Sequence, residues 1–332
     1  MQMKPKMSSY EFLDTCVFAY SLIETVYFFY QANMTDTCSK RTWVTLLSDV
    51  GEENGYLTGI LTLNYTLIKV KTRYPLLVIY TSKCHDSALS VLQKSGIKIK
   101  YVEMLQPSMT LDYGVDTKRF NECFNKLRVF ELYEYERVVF IDSDMIFMKN
   151  ADELFDIPLD RGSIASAHAC VCNPRKRPHY PKEWVPSNCA YTAQQDMHSG
   201  SLIPCTFGIK MLNSGLIVLN PNPEEFGIIF DHVMNCEKYP QSIFNFAEQS
   251  LLSRLYEEKW MPLPYIYNAL KTLRTVHEKL WDDNDVKIVH YILNKPWHDK
   301  SDNLDSQDPT HAWWWEFQKE RLEKETDSII YK

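Results

Sequence analysis

Two carboxylates separated by one small residue, Asp142 and Asp144, are the groups of this chain best placed to do chemistry. Carboxylates this close repel each other unless a cation lies between them, and paired hard oxygen ligands suit Mg²⁺ or Mn²⁺. They follow a run from Val138 to Ile141 that is entirely β-branched or aromatic and reads as a buried strand. Ligands of open α/β sheets bind beyond the carboxyl ends of the strands, which is where this pair falls. A strand running into a polar turn gives the same short pattern, so the pair needs company elsewhere in the chain.

Later segments of the chain could supply it. Asn213, Ser214 and Gly215 form a polar turn entering an apolar strand. Asn245, Glu248 and Gln249 open a helix with an acid and an amide, and a strand over Val286 to Tyr291 carries His290 near its end. Lys295, Pro296 and Trp297 follow, and three consecutive tryptophans, Trp313 to Trp315, stand near the end of the chain.

The elements that must position these groups are legible from periodicity. Strands are expected at Thr42–Leu47, Leu76–Tyr80, Ile97–Val102 and Val138–Ile141. Helices are expected between them at Tyr56–Lys71, Ser87–Ser95 and Phe120–Leu132. Strands alternating with helices predict a mostly parallel, doubly wound sheet. Further helices are expected near Glu224–Glu237 and Ala247–Glu258. Between them the texture is irregular: Cys172 to Pro186 holds four prolines and the basic run Arg175, Lys176 and Arg177, a long loop of the kind that binds or covers. Its aromatics, Tyr180 and Trp184 among them, offer rings that could stack on a flat ligand such as a sugar.

Composition narrows the partners. The 332 residues are 45% hydrophobic, enough to bury a sizeable core, and 20 Tyr, 16 Phe and 8 Trp suit flat apolar ligands. A formal net charge of −7 leaves no basic footprint for duplex nucleic acid. Nine scattered cysteines fit a reducing compartment; Cys170 and Cys172 lie close, but no C-x-x-C pair with zinc-ligand spacing is present. Residues 12–30 are apolar after a basic start but are interrupted by Asp14 and Glu24. They read as an amphipathic helix outside the catalytic domain or as a tether, which makes the cytoplasm the expected location and the secretory lumen the alternative. The sequence does not fix an oligomeric state.

Taken in order, these segments resemble glycosyltransferase family 8, the group of glycogenin and galactinol synthase, from about Thr42 to Trp315. The Pro-rich loop, the Lys-Pro-Trp ending and the Trp triplet look closer to the galactinol-synthase-like branch. The resemblance implies a GT-A fold, a UDP-sugar donor (glucose or galactose), a sugar, polyol or glycan acceptor, and retention at the anomeric carbon. It implies a domain at 41–300, with an N-terminal helical extension at 1–40 and a C-terminal segment at 301–332 packed on the domain.

By the same resemblance Asp142, Asp144 and His290 hold the metal. The imidazole favours Mn²⁺ over the alternative Mg²⁺. Leu46, Ser48, Asp49 and Tyr56 hold the uridine, and Lys126 and Ser143 lie near the diphosphate. Asn213, Ser214 and Gly215 line the sugar and acceptor side, Gln249 touches the sugar near its reacting carbon, and Lys295 neutralises the leaving UDP. The chain departs from the glycogenin pattern at Asp49, where an Asn is usual, and at Asn245 and Glu248, where two aspartates are usual. Two other readings stay open: a haloacid-dehalogenase-type Mg²⁺ phosphatase, which also places D-x-D after a strand, and a nucleotide-sugar binder without turnover.

Overall fold

The computed structural model describes residues 40–330 apart from 51–53, 110, 112, 114–116, 179, 198–205 and 300–307. The N-terminal extension and the expected tether at 12–30 lie outside the described residues, as does His179 of the Pro-rich loop. Among the described residues no helix is long and apolar enough to cross a membrane.

The first strand of the sequence, β1 (Arg41–Leu47), has parallel neighbours on both sides, β2 (Leu76–Tyr80) and β4 (Arg137–Ile141). Outside β2 lies β3 (Lys98–Tyr101), also parallel. Beyond β4 the direction changes: β7 (Leu216–Leu219) runs antiparallel to β4, and β6 (Ile164–Ala167) antiparallel to β7. Finally β8 (Trp260–Leu263) pairs in parallel with β6, giving the order β3-β2-β1-β4-β7-β6-β8. The sheet is mostly parallel, as the alternation of strands and helices predicts.

Both faces of this sheet are covered, which is why its central strands are continuous apolar runs rather than alternating ones. Val138 and Phe140 point into one core with Phe124, Phe130 and Tyr256. Val139 and Ile141 point into the other with Ile60, Leu63 and Leu67 of the helix Gly55–Lys69.

The helix expected at Phe120–Leu132 takes a different form. It is α-helical only over Thr117–Glu122 and continues as a 3₁₀ segment, Cys123–Glu131. Phe124, Leu127 and Phe130 are all buried and recur every three residues, a spacing that three residues per turn keeps on one face.

A second sheet decides where the chemistry sits. Directly after β4, the strand β5 (Met145–Phe147) pairs antiparallel with β10 (Ile288–His290), whose other edge carries β9 (Ala269–Leu270). The register sets His290 opposite Met145, the residue after Asp144.

Candidate active site

The order of strands reverses between β1 and β4, because the chain runs outward from β1 through β2 and β3 and then returns to the other side of β1. A crevice opens at the carboxyl end of such a switch point. Continuing the β1–β4 register, in which Val44 pairs with Phe140, brings Leu46 level with Asp142, and Ser48 and Asp49 follow directly after the end of β1. Asp142 is fixed there by its own N–H, which donates to the Gly215 carbonyl at 2.8 Å.

The β5–β10 pairing carries His290 to the two carboxylates. Its Nε2 lies 3.3 Å from Asp144 Oδ1 and 3.8 Å from Asp142 Oδ2. One ligand atom from each of the three residues lies within 4.8 Å of the others. The close approach needs a glycine at 215, since a methyl group there would meet His290 Cε1 at 2.3 Å.

The orientation of the imidazole follows from a chain of hydrogen bonds that starts at a backbone amide. Gly215 N–H donates to Asn213 Oδ1 at 3.1 Å, which identifies that atom as oxygen. Asn268 then donates to the same oxygen through Nδ2 at 2.8 Å, leaving its Oδ1 to face His290 Nδ1 at 2.8 Å. Nδ1 therefore carries the proton, and Nε2 is turned to the carboxylates. A bare nitrogen lone pair against two carboxylates is repulsive unless a proton or a cation sits between them, so these three residues fit a divalent metal ion. Asn268 is fully buried and belongs to none of the sequence patterns.

Each aspartate also has a lysine. Buried Lys126 reaches Asp142 Oδ1 at 2.9 Å and Glu248 Oε1 at 3.0 Å. Burial opposes its charge, but the two carboxylates overcome this and hold its ammonium above the ordinary lysine range. Lys295, equally buried, pairs with Asp144 and donates to the Tyr291 carbonyl at 2.9 Å. Burial likewise works against the Asp144 carboxylate, yet the paired Lys295 ammonium prevails and holds it well below the usual carboxylate range. Glu248 accepts from Ser214 Oγ at 2.8 Å, and Gln249 Oε1 accepts from Ser214 N–H at 3.3 Å.

The Lys-Pro-Trp segment closes the site from the side. Added methyl groups on Gly55 and Gly59 would meet the Trp297 ring at 2.4 and 2.9 Å, and on Gly59 also the Ser143 carbonyl at 2.6 Å. Tyr56 packs edge-on against Trp297, with ring centroids 5.5 Å apart. Trp314 of the helix Thr310–Ile330 lies 5.8 Å from Trp297, and Trp315 Nε1 donates to the Pro296 carbonyl at 3.1 Å. Two left-handed backbone positions occupied by non-glycine residues, Ala247 (φ 47°) and Leu293 (φ 65°), lie one and two residues before Glu248 and Lys295. Such positions cost about 1–2 kcal/mol and persist where the surroundings over-determine them.

The structure thus gathers Asp142, Asp144, His290, Lys126, Lys295, Asn213, Ser214, Gly215, Glu248 and Gln249 around one crevice. Asn245, by contrast, is exposed. Trp184 is no open sugar platform: it is buried, stacked on Phe246 at 4.4 Å with 9° between the rings.

Residues 50–301 match the model of glycosyl transferase family 8. The chain belongs to that family. It is 30% identical to galactinol synthase 1 of Solanum lycopersicum over 82% of this chain and 80% of that one. It is 27% identical to galactinol synthase 6 of Arabidopsis thaliana over 83% and 80%. The solved galactosyltransferase LgtC, in complex with donor and acceptor sugar analogs, superposes with a TM-score of 0.57 at 14% identity, covering 84% of this chain and 95% of LgtC. GlyE of Streptococcus pneumoniae TIGR4 gives 0.53 at 17% identity over 87% of this chain, which spans 65% of GlyE. The family 8 chain is therefore a glycosyltransferase with a GT-A fold, and the phosphatase reading falls away.

Proposed function

We propose that this family 8 protein is a retaining, Mn²⁺-dependent hexosyltransferase that moves galactose or glucose from a UDP-sugar to a hydroxyl of a polyol, sugar or glycan. The observation that carries the reading is the pair of buried ions flanking one imidazole: Asp144 bound to Lys295, with His290 Nε2 turned to both Asp144 and Asp142. The names of the galactinol synthases and of the galactosyltransferase LgtC favour galactose as the sugar, and the former favour a polyol acceptor.

Asp142, Asp144 and His290 would hold the cation, and the mixed oxygen and imidazole set prefers Mn²⁺ to Mg²⁺. When bound, the ion would supply positive charge to the donor diphosphate. Formal charges explain why it is needed. Asp142, Asp144 and Glu248 outnumber Lys126 and Lys295, so the empty centre is negative and repels a diphosphate, whereas a divalent cation reverses the sign.

The residues then divide the work. Leu46, Ser48, Asp49 and Tyr56 at the end of β1 would seat the uridine, with Ser143 at the turn beneath the diphosphate. Lys295 and Lys126 would meet the negative charge that grows on the leaving phosphate, a preorganised term of the kind that dominates catalysis. Asn213, Ser214, Gly215 and Gln249 would hold the sugar. Glu248 takes both Lys126 and Ser214 on Oε1, so a covalent glycosyl ester on it would discharge the carboxylate that Lys126 pairs with. That supports a front-face route, in which the acceptor hydroxyl approaches from the leaving-group side and passes its proton to the departing phosphate. The unbridged thiols of Cys170, Cys172 and Cys189 support a reducing, cytoplasmic location.

The test is UDP release from a panel of UDP-sugars with Mn²⁺, followed by inositol, glycan and protein acceptors. Turnover of UDP-galactose or UDP-glucose with a retained product is expected. An inverted product or a trapped Glu248 ester defeats the front-face route, and binding without turnover defeats the transferase reading.

A further inference from the structure

A second cluster of ligating side chains lies outside this crevice. Cys170 and Cys172 follow β6, Cys189 precedes the helix Ala190–Met197, and His277 ends the short helix Leu273–Val276. The sulfurs of Cys172, Cys170 and Cys189 lie 3.3, 3.6 and 3.7 Å from His277 Nε2. One ligand atom from each of the four residues lies within 4.8 Å of the others. A tetrahedral zinc ion, with Zn–S of about 2.3 Å and Zn–N of about 2.0–2.1 Å, sets sulfur and nitrogen about 3.6 Å apart and the sulfurs about 3.8 Å apart. The three measured separations scatter around the first of these values.

Hydrogen bonding to the imidazole does not account for this convergence. A single imidazole nitrogen either donates one proton or offers one lone pair, so it satisfies one sulfur and not three. A cation at the centre of the four atoms satisfies all of them. We propose that Cys170, Cys172, Cys189 and His277 bind one structural zinc ion.

Burial and chemistry agree on the kind of site. Cys172, Cys189 and His277 are 6%, 1% and 2% exposed, and four protein ligands complete a tetrahedron with no position left for substrate. Thr192 Oγ1 lies 3.7 Å from the Cys172 sulfur, in place to donate a second contact to a thiolate. Soft thiolates select zinc over Mn²⁺ or Mg²⁺, so this cluster and the carboxylate centre do not compete for one ion. The ion would clamp the base of the Pro-rich loop, since Cys172 and Cys189 bracket residues 173–188. The sequence offers no short C-x-x-C signal here because the ligands come from three separate segments.

The test is metal content of the full chain, purified without an affinity histidine tag and without added metal, by plasma mass spectrometry. Roughly one zinc per chain is expected, persisting after mild chelation that strips Mn²⁺, and persisting in Asp144→Asn. Cys172→Ser with Cys189→Ser should lose it, while His277→Cys, which restores four ligands, should keep it. Should the double serine variant fail to fold, wild-type protein decides. Titrating its thiols with a mercurial should release about one zinc for every three protected thiols, and exchange with Co²⁺ should give a thiolate charge-transfer band. Zinc-free protein without that band overturns the proposal. So does a disulfide among these cysteines, or zinc that disappears with Asp144→Asn and not with the cysteine variants.

Discussion

The carboxylate centre and the thiol cluster of this chain use the same kind of geometry for opposite ends. In the first, two aspartates and an imidazole gather at the mouth of the sheet, with the Asp142 side chain 27% exposed and further ligand positions left over. In the second, three thiols and an imidazole close on each other, all buried except the half-buried Cys170. Oxygen ligands with room to spare suit an ion that must meet a diphosphate, and sulfur ligands without room suit one that only holds loops together. The neighbours differ in the same sense. Lys126 and Lys295 stand among the carboxylates and, on the proposed function, would set the charge that a donor meets. Beside the thiols stand a hydroxyl, from Thr192, and the Tyr191 ring, 5.9 Å from His277. On the two proposals, one cluster would change partners during turnover and the other would keep them.

The sharpest way to break this contrast is to remove a ligand from the open centre. Asp144→Asn weakens cation binding and also leaves the buried Lys295 without its counter-charge. Metal charge stabilisation is worth several kcal/mol at a transition state, so UDP-sugar turnover is expected to fall roughly a thousandfold. Zinc content and the far-ultraviolet spectrum should not change. Steady-state kinetics and metal analysis on the same sample check both halves. Turnover that survives the substitution would detach the carboxylates from the chemistry.

The two clusters also differ in how far they could be read from the chain. Asp142 and Asp144 are separated by a single residue and end an apolar run, so one strand displays both. His290 and Lys295 lie five residues apart after a second strand and are legible for the same reason. Asn268 is not. It has no motif around it, and its role exists only because β9 and β10 pair side by side, bringing it to His290. Cys189 and His277 are separated by most of the second half of the fold, and only packing brings their ligand atoms together. The antiparallel direction of β7 was hidden because four apolar residues look the same whichever way a strand runs. The 3₁₀ turn at Cys123–Glu131 could have been seen, since Phe124, Leu127 and Phe130 recur at a strict period of three.

Next in size is Lys126. It is buried between Asp142 and Glu248, so Lys126→Met leaves two carboxylates facing each other without their cation. Breaking a buried ion pair by deleting one partner costs about 3–5 kcal/mol, and stability should fall by that order in urea unfolding. Mn²⁺ should restore part of the loss, since it would supply positive charge next to Asp142, while zinc should restore none. A loss that Mn²⁺ leaves untouched would mean that Lys126 stabilises the fold without sharing the cation's charge.

A milder change is to keep every ligand and alter only the imidazole's orientation. Asn268→Leu removes the acceptor at His290 Nδ1 while preserving bulk. Loss of such outer partners costs 10–100-fold in metal affinity, so the Mn²⁺ dependence of activity should shift to higher concentration by about that factor. Maximal turnover at saturating Mn²⁺ should be nearly retained. An unchanged Mn²⁺ response would show that His290 keeps its orientation through the glycine contact alone.

The smallest expected effect asks whether the two regions communicate. Trp184 sits on the loop bracketed by Cys172 and Cys189, and its ring stacks on Phe246, two residues before Glu248 and three before Gln249. The loop thus touches the segment leading to Glu248 and Gln249 through this aromatic contact. An aromatic pair contributes about 0.5–1.5 kcal/mol beyond its buried area. Trp184→Leu keeps the site apolar but loses the stack, so the helix carrying Glu248 and Gln249 should be held less firmly. Acceptor KM is then expected to rise about two- to tenfold, while Mn²⁺-dependent UDP-sugar binding and zinc content stay constant. Combining Trp184→Leu with Cys172→Ser closes a double-mutant cycle. If the zinc clasp acts on the crevice through this contact, the second substitution adds little to the first. If the effects add in full, within about 0.3–0.5 kcal/mol, the clasp stabilises the loop without reaching the chemistry, and the two centres work independently.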